Sequence, residues 1–233
     1  LAGHLKLKNL IMLYDNNSIS IDGPTSLAVS DNYKKRFQSY GWDYIAIDGH
    51  NEKEIFNALK KVQKTKKPTV ISCKTIIGFG SPNKSSKAEA HGSPLGEKEV
   101  LLVRKKLKWK YPPFEIPKKI IDEWKKIGSK NAKEEKKWNK QYSKKTDSWK
   151  KNNNLDKLTK LIRDEKQELV KDSSPTATRK ASEKFLSIVK IPELIGGSAD
   201  LSGSNNTKTK NHKIIKPGNF GGNYIHYGVR EHA

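Results

Sequence analysis

Trp42-Asp-Tyr-Ile-Ala-Ile-Asp-Gly49, a run at 52–64, and Pro68-Thr-Val-Ile-Ser-Cys-Lys-Thr75 form the stretch that decides the fold. The first is apolar and ends on Asp48-Gly49, a turn signal, so it reads as a strand. In the second, Ile55, Ala58, Leu59 and Val62 recur at helical spacing. The third is β-branched and apolar, a buried strand that Gly78-Phe-Gly80 ends. Strand, helix and strand at this spacing predict βαβ units and a parallel sheet. In an open sheet of that kind, ligand groups sit in loops at the carboxyl ends of the strands.

Working outward, Asn9-Leu-Ile-Met-Leu-Tyr14 is a further strand, closed by the polar Asp15-Asn-Asn17. Ser30-Asp31 can cap a helix through about Tyr40. Downstream, 81–94 is a polar loop, 97–107 a helix, and Tyr111-Pro-Pro-Phe-Glu-Ile-Pro117 an extended connector. Residues 118–171 read as lysine-rich helices with sparse apolar faces (Ile120 and Trp124; Trp138 and Tyr142; Leu155, Leu158 and Ile162). Gly128-Ser129 and 152–154 interrupt them. The segment is expected to join two domains and lie over a surface. A second α/β unit follows, with a helix at 176–189, a strand and turn at 193–197 and a strand at 223–228. There is no internal repeat. The opening at Leu1 and the ending at Ala233 both read as cuts.

Composition narrows the function classes. The formal charge of +22 invites a polyanion-binding reading, yet Arg occurs only at 36, 104, 163, 179 and 230. Nucleic-acid readers favour the planar guanidinium fork. Here the lysines alternate with acids, as in Asp122-Glu-Trp-Lys-Lys, instead of forming one basic stripe. No nucleic-acid partner is expected, whereas an acidic small molecule suits the field. The longest apolar runs fall far short of the roughly 20 residues that a membrane helix needs. The lone Cys73 is a small core residue. A soluble cytoplasmic protein is expected.

Single motifs are weak. Asn17 followed two residues later by the Ile19 carbonyl offers oxygen ligands that suit a hard cation, but alone it reads as a turn. His91 alone reads as a surface histidine, and Arg179 reads equally well as a salt-bridging helix residue. Six segments in order change this: Tyr14-Asp-Asn-Asn17-Ser-Ile19; Cys73-Lys-Thr-Ile-Ile77-Gly-Phe-Gly-Ser81; His91-Gly-Ser-Pro-Leu-Gly96; Ala177-Thr-Arg179-Lys-Ala-Ser182; Gly196-Gly-Ser-Ala-Asp200-Leu201-Ser-Gly-Ser204-Asn; and Tyr224-Ile-His-Tyr-Gly-Val-Arg-Glu231-His-Ala. Together they resemble the transketolases, most weakly across 118–171.

The resemblance implies an α/β, parallel-sheet thiamine-diphosphate-binding fold in two partial domains joined by a helical lysine-rich linker. Residues 1–146 would be the C-terminal portion of the diphosphate-binding domain and the start of the linker, 147–175 the linker, and 176–233 the beginning of the pyrimidine-binding domain. It implies thiamine diphosphate with Mg2+ (or Ca2+) as cofactors, with Asn17 ligating the metal through its side chain and Ile19 through its carbonyl. The family's metal motif opens with Gly-Asp-Gly, which these 233 residues do not contain. Ile77 would pack near the cofactor, and His91 would lie beside it and hydrogen-bond the donor sugar. Arg179 and Ser204 would contact substrate phosphate, where a guanidinium fork and a hydroxyl suit a dianion. Gly203 stands where the family has Pro. Asp200 and Leu201 would reach the cofactor from the partner subunit of a homodimer whose active sites lie at the interface. Glu231 would be the catalytic acid on the aminopyrimidine N1′ atom.

The implied activity is reversible transfer of a two-carbon ketol unit from a ketose-phosphate to an aldose-phosphate in the pentose phosphate pathway, with this stretch inactive on its own. The alternatives are a dihydroxyacetone synthase, an inactive paralogue and, from another class, a lysine-rich nucleic-acid-binding protein. Asn17 and Glu231 speak against the inactive paralogue.

Overall fold

The structure is a computed structural model that describes residues 1–152, 155–171, 174–189, 191 and 194–230, without the side chains of 144–152, 155–157 and 169. It divides into two compact units, Leu1–Glu115 and Ile116–Ala233. The division falls inside the proline-rich connector. Glu231, the last two residues of the expected helix break at 152–154 and the expected strand start at Glu193 lie outside the described residues, and Asn152 itself is helical.

In the first unit the elements run α1 (Ala2–Leu5), β1 (Ile11–Asn16), β2 (Ile19–Ser20), β3 (Gly23–Pro24), α2 (Tyr33–Ser39), β4 (Asp43–Asp48), α3 (Glu52–Val62), β5 (Thr69–Lys74), α4 (Glu89–Gly92) and α5 (Glu97–Lys106). The three long strands pair in the order β1-β5-β4, all parallel. Thr69, Val70, Ile71 and Ser72 of β5 are buried, which suits a central strand flanked on both sides. Ile71 packs with Ala58 and Val62 of α3, and Ile11, Ile45, Ile47 and Cys73 close the cluster. The helical spacing of Ala58 and Val62 thus serves the core. The half-buried Cys73 is free, and burial pushes its thiol pKa up.

The helices begin where local chemistry dictates. The Asn51 side chain caps α3, accepting from the N–H of Lys53 and Glu54 at 3.1 and 3.2 Å. At α2 the cap is Asn32, which accepts from Lys35 N–H at 3.0 Å, one residue beyond the expected Asp31. Asp31 instead pairs with Arg36 at 2.5 Å.

The second unit holds α6 (Lys118–Ser129), α7 (Ala132–Asn152), α8 (Leu155–Lys171), α9 (Thr178–Ile188), β6 (Gly196–Ser198), α10 (Ser202–Asn205) and β7 (Tyr224–His226). Strands β6 and β7 pair in parallel, with Gly196, Gly197 and Ser198 opposite Tyr224, Ile225 and His226. Gly197 is required there: a Cβ would stand 2.4 Å from the Tyr227 ring and 2.7 Å from the Ile225 carbonyl oxygen. Tyr224 is fully buried. Among the described residues, no helix is long and apolar enough to cross a membrane.

Candidate functional site

The register of the sheet sets the first group of residues. Asn16, Lys74 and Asp48 stand side by side at the carboxyl ends of β1, β5 and β4. The three exits therefore open at one edge, where an α/β sheet places its ligands. Asn17 leaves β1 at this edge, the segment with Ile77 leaves β5, and His50 follows β4. Gly49 lets the exits approach, since a Cβ would meet the Thr75 methyl at 2.5 Å. Hydrogen bonds tie the exits together: Gly49 N–H to Lys74 O at 2.8 Å and Thr75 N–H to Asn16 O at 3.4 Å. Lys74 Nζ donates to Ser18 Oγ at 2.7 Å. The Thr75 hydroxyl donates to Asp15, and the His50 Nε2 accepts from Ile76 N–H at 3.0 Å. The His50 ring stacks on Phe79 at 4.1 Å between centroids.

Asn17 Oδ1 accepts the Ile19 N–H at 2.9 Å, which fixes the turn around Ser18. Ile19 pairs with Pro24, and the flanking Thr25 N–H goes to Ser18 O at 3.0 Å. This is the non-hydrogen-bonded position of an antiparallel pair, so the Ile19 carbonyl points away from β3. An amide oxygen has a second lone pair. Asn17 Oδ1 and the Ile19 carbonyl are thus two neutral oxygens held near each other by one hydrogen bond, a donor set that fits a hard cation such as Mg2+ or Ca2+. Among the described residues no group of three or more His, Cys, Asp or Glu side chains could hold a metal. The fit rests on these two oxygens.

Ile77 is half-buried three residues past β5, and its carbonyl accepts Ser86 N–H at 2.9 Å. Gly78 turns at a φ of 63°, with a Cβ position only 3.0 Å from the Ala90 methyl. The 81–94 loop therefore folds back onto the β5 exit, and α4 forms within it. His91, next to Ala90, is exposed on α4. The structure thus brings Ile77 and His91 to the same loop cluster, at the edge that also carries Asn17 and Ile19.

The second group lies in the second unit. Arg179 is exposed at the start of α9, and among the described residues no acid pairs with its guanidinium. Asp200 turns the chain at a φ of 60° after β6. Leu201 accepts Asn205 N–H at 2.9 Å, and Ser204 is exposed on α10. The Tyr224 hydroxyl holds this segment through Ser202 Oγ and Thr207 Oγ1, both at 2.9 Å. A Cβ at Gly203 would meet nothing within 4 Å. The last described residue, Arg230, turns its guanidinium back to the Tyr227 carbonyl at 2.5 Å.

Sequence reasoning missed Glu99, Lys84 and His50. Glu99 is only 7% exposed. It accepts from the Ser81 hydroxyl, from Asn83 N–H at 2.9 Å and from Asn83 Nδ2 at 2.9 Å. These donors hold its pKa down at about 2, the Ser81 hydroxyl foremost. No helical periodicity signals that burial, because the apolar neighbours Val100, Leu101 and Leu102 are the exposed ones. His50 had a weak signal in the Asp48-Gly-His50-Asn run after a strand.

Comparison with known proteins places these residues in context. Residues 1–166 match the family model "Transketolase, thiamine diphosphate binding domain". The chain is 43% identical over 242 residues to a transketolase of Rhodobacter capsulatus, covering 100% of this chain and 36% of that protein. It is 46% identical over 252 residues to a transketolase of Buchnera aphidicola from Acyrthosiphon pisum, covering 99% and 36%. The chain thus spans about a third of the length of the curated relatives it matches. Among solved structures, a Pichia stipitis transketolase in complex with sedoheptulose-7-phosphate superposes with a TM-score of 0.81 at 32% identity, covering 99% of this chain and 36% of that one. The transketolase of Campylobacter jejuni gives 0.78 at 30% identity, again covering 99% and 36%.

Proposed function

This chain belongs to the transketolase family through its thiamine diphosphate binding domain, and on that premise we propose that the full-length protein transfers a two-carbon ketol unit from a ketose-phosphate to an aldose-phosphate. The observation that carries the reading is the shared carboxyl edge of β1 and β5, where the Asn17 and Ile19 oxygens, Ile77 and the His91 loop lie in one family-matched unit. The same observation weighs against a nucleic-acid binder. The match to proteins named transketolase, one of them solved with sedoheptulose-7-phosphate, favours the sugar-phosphate reaction over a dihydroxyacetone synthase.

The division of labour follows from the side chains. Asn17 Oδ1 and the Ile19 carbonyl would hold Mg2+ (or Ca2+) together with an acidic ligand, and the metal would neutralise the cofactor's diphosphate. Thiamine diphosphate, when bound, supplies the carbanion chemistry. Ile77 would give its thiazolium an apolar contact. His91 is exposed, and because an imidazole has two distinct ring nitrogens it can hold a hydroxyl of the donor sugar and shuttle its proton. Arg179 and Ser204 would take the substrate phosphate, with the guanidinium supplying charge and two parallel donors. Asp200 and Leu201 would contact cofactor bound to a second copy, in a homodimer with active sites at the subunit interface. Glu231 would present a carboxyl proton to the aminopyrimidine N1′ as the catalytic acid.

In this reading residues 1–146 belong to the diphosphate-binding domain, 147–175 to a linker and 176–233 to the pyrimidine-binding domain, in a cytoplasmic enzyme of the pentose phosphate pathway. The test is reconstitution. Full-length protein stripped of cofactor and metal should regain ketol transfer between a ketose-phosphate and an aldose-phosphate only when thiamine diphosphate and Mg2+ are both restored. Cofactor-independent activity, or none with any sugar phosphate, would overturn it.

A further inference from the structure

Among the described residues Glu99 is the only buried carboxylate, and nothing in the proposed chemistry uses it. It sits on α5, beyond the loop that carries His91, and gathers the start of that loop: the Ser81 hydroxyl, Asn83 N–H and Asn83 Nδ2 all donate to it. Lys84 then ties the loop to itself. Its N–H donates to Ser81 Oγ at 3.0 Å. Its Nζ reaches across to the carbonyls of Leu95 at 2.9 Å and Pro94 at 3.4 Å, on the far side of His91. Between these ties, Ser86 N–H is bonded to Ile77 O at 2.9 Å, and Ala90 presses on the Gly78 turn.

His91 has no such tether of its own. Its backbone N–H goes to Ala88 O at 2.9 Å, and among the described residues its ring makes no hydrogen bond. The place of its imidazole is therefore set by the loop backbone. A loop of this length with few apolar contacts would otherwise sample many conformations. We propose that Glu99 and Lys84 are positioning residues which close residues 81–95 into one fixed loop and thereby hold His91 at the carboxyl edge of the sheet. This rests on the reading that His91 contacts the donor sugar.

The two charged groups act on opposite ends. A buried carboxylate accepting three donors resists rotation because any released donor would be left unpaired. The Lys84 cation meets two carbonyl oxygens instead of an acid, so its role is geometric closure. Removing the Lys84 Nζ while keeping its stem opens the loop without emptying the space under it.

The decisive experiment is a double-mutant cycle in the full-length holoenzyme. Lys84→Met should lower kcat/KM for a ketose-phosphate donor by about tenfold to a hundredfold, the scale on which a misplacement of ~1 Å acts. Lys84→Arg, which keeps a cationic donor, should recover most of that loss. With His91→Ala already present, Lys84→Met should cost nothing more, because it acts through His91. Amide hydrogen exchange should quicken across residues 81–95 in Lys84→Met and Glu99→Gln while the β5 amides stay protected. Equal losses with and without His91, or unchanged exchange in the loop, would overturn the proposal. If His91→Ala alone retains full activity, the sugar-contact reading fails, and positioning for catalysis falls with it. The exchange measurement then decides separately whether the loop is clamped.

Discussion

Replacing Tyr224 by Phe removes one oxygen atom from a fully buried side chain of the second unit. The residue is 0% exposed, and its ring packs against His212 and His226, with centroids 5.2 Å from each. Phe keeps that packing. What goes is the hydroxyl that bridges Ser202 and Thr207, at 2.9 Å to each. These residues bracket α10 and hence Ser204. Each neutral hydrogen bond contributes about 0.5–1.5 kcal/mol net. Ser202 and Thr207 are half-buried, so water recovers part of the loss. The expected cost is about 1–2 kcal/mol, a factor of roughly 5–30 in a local opening equilibrium. The amides that report it are Asn205, bonded to Leu201 O at 2.9 Å, and Thr207, bonded to Ser202 O at 3.3 Å. Their hydrogen exchange in the full-length protein should quicken by that factor, and the KM for phosphorylated substrates should rise with kcat nearly unchanged. Unaltered exchange at both amides would refute the reasoning, because the bridge would then carry no load. A rise in KM that is as large for unphosphorylated substrates would refute the link to Ser204.

Three further outcomes follow from the same geometry. Asn17→Ala removes the acceptor of Ile19 N–H and, on the proposed reading, a hard-cation ligand, so thiamine diphosphate should bind the metal-loaded protein more weakly in a titration at fixed Mg2+; unchanged affinity would leave Asn17 with the turn alone. Arg179→Ala should weaken phosphorylated substrates by about 1.5–3 kcal/mol, the range for a charged hydrogen bond, and spare short unphosphorylated donors; equal losses would make Arg179 structural. Glu99 has its pKa lowered to about 2, so its contribution is full above the ordinary carboxylate range and is lost as pH falls from there towards 2. Amide exchange in residues 81–95, corrected for intrinsic rates, should loosen over that window in wild type. In Glu99→Gln it should be loose already and flat, and a parallel pH response in both proteins would contradict this.

Much of the first unit was legible in the sequence because its signals are local. The β-branched run at β5 and the helical repeat of Ile55, Ala58, Leu59 and Val62 each specify one element; Ala58 and Val62 pack on Ile71 in the core, whereas Leu59 is exposed. Legibility failed where a distant partner decides. Leu194 and Ile195 have the strand propensity, yet the strand forms over Gly196–Ser198 because that is where Tyr224–His226 pairs and where Tyr227 needs a residue without a Cβ. In α5 the apolar residues face outward and the acid inward, since Glu99 answers three donors from the 81–83 turn. Hydrophobic periodicity holds no information about such a partner. The candidate site divides in the same way. Motif order pointed to Asn17, Ile77 and His91, whereas the ties that hold the His91 loop emerge only from the folded chain.

We propose that Glu231 is the acid that activates thiamine diphosphate in the full-length protein. Exchange of the C2 proton of bound cofactor can be followed by deuterium quench and NMR, without any sugar present. In the full-length holoenzyme, Glu231→Gln should retain the cofactor but slow that exchange by at least about a hundredfold, the lower range for a general acid–base group. Exchange at the wild-type rate, with the cofactor bound, would contradict the account and remove Glu231 from the mechanism.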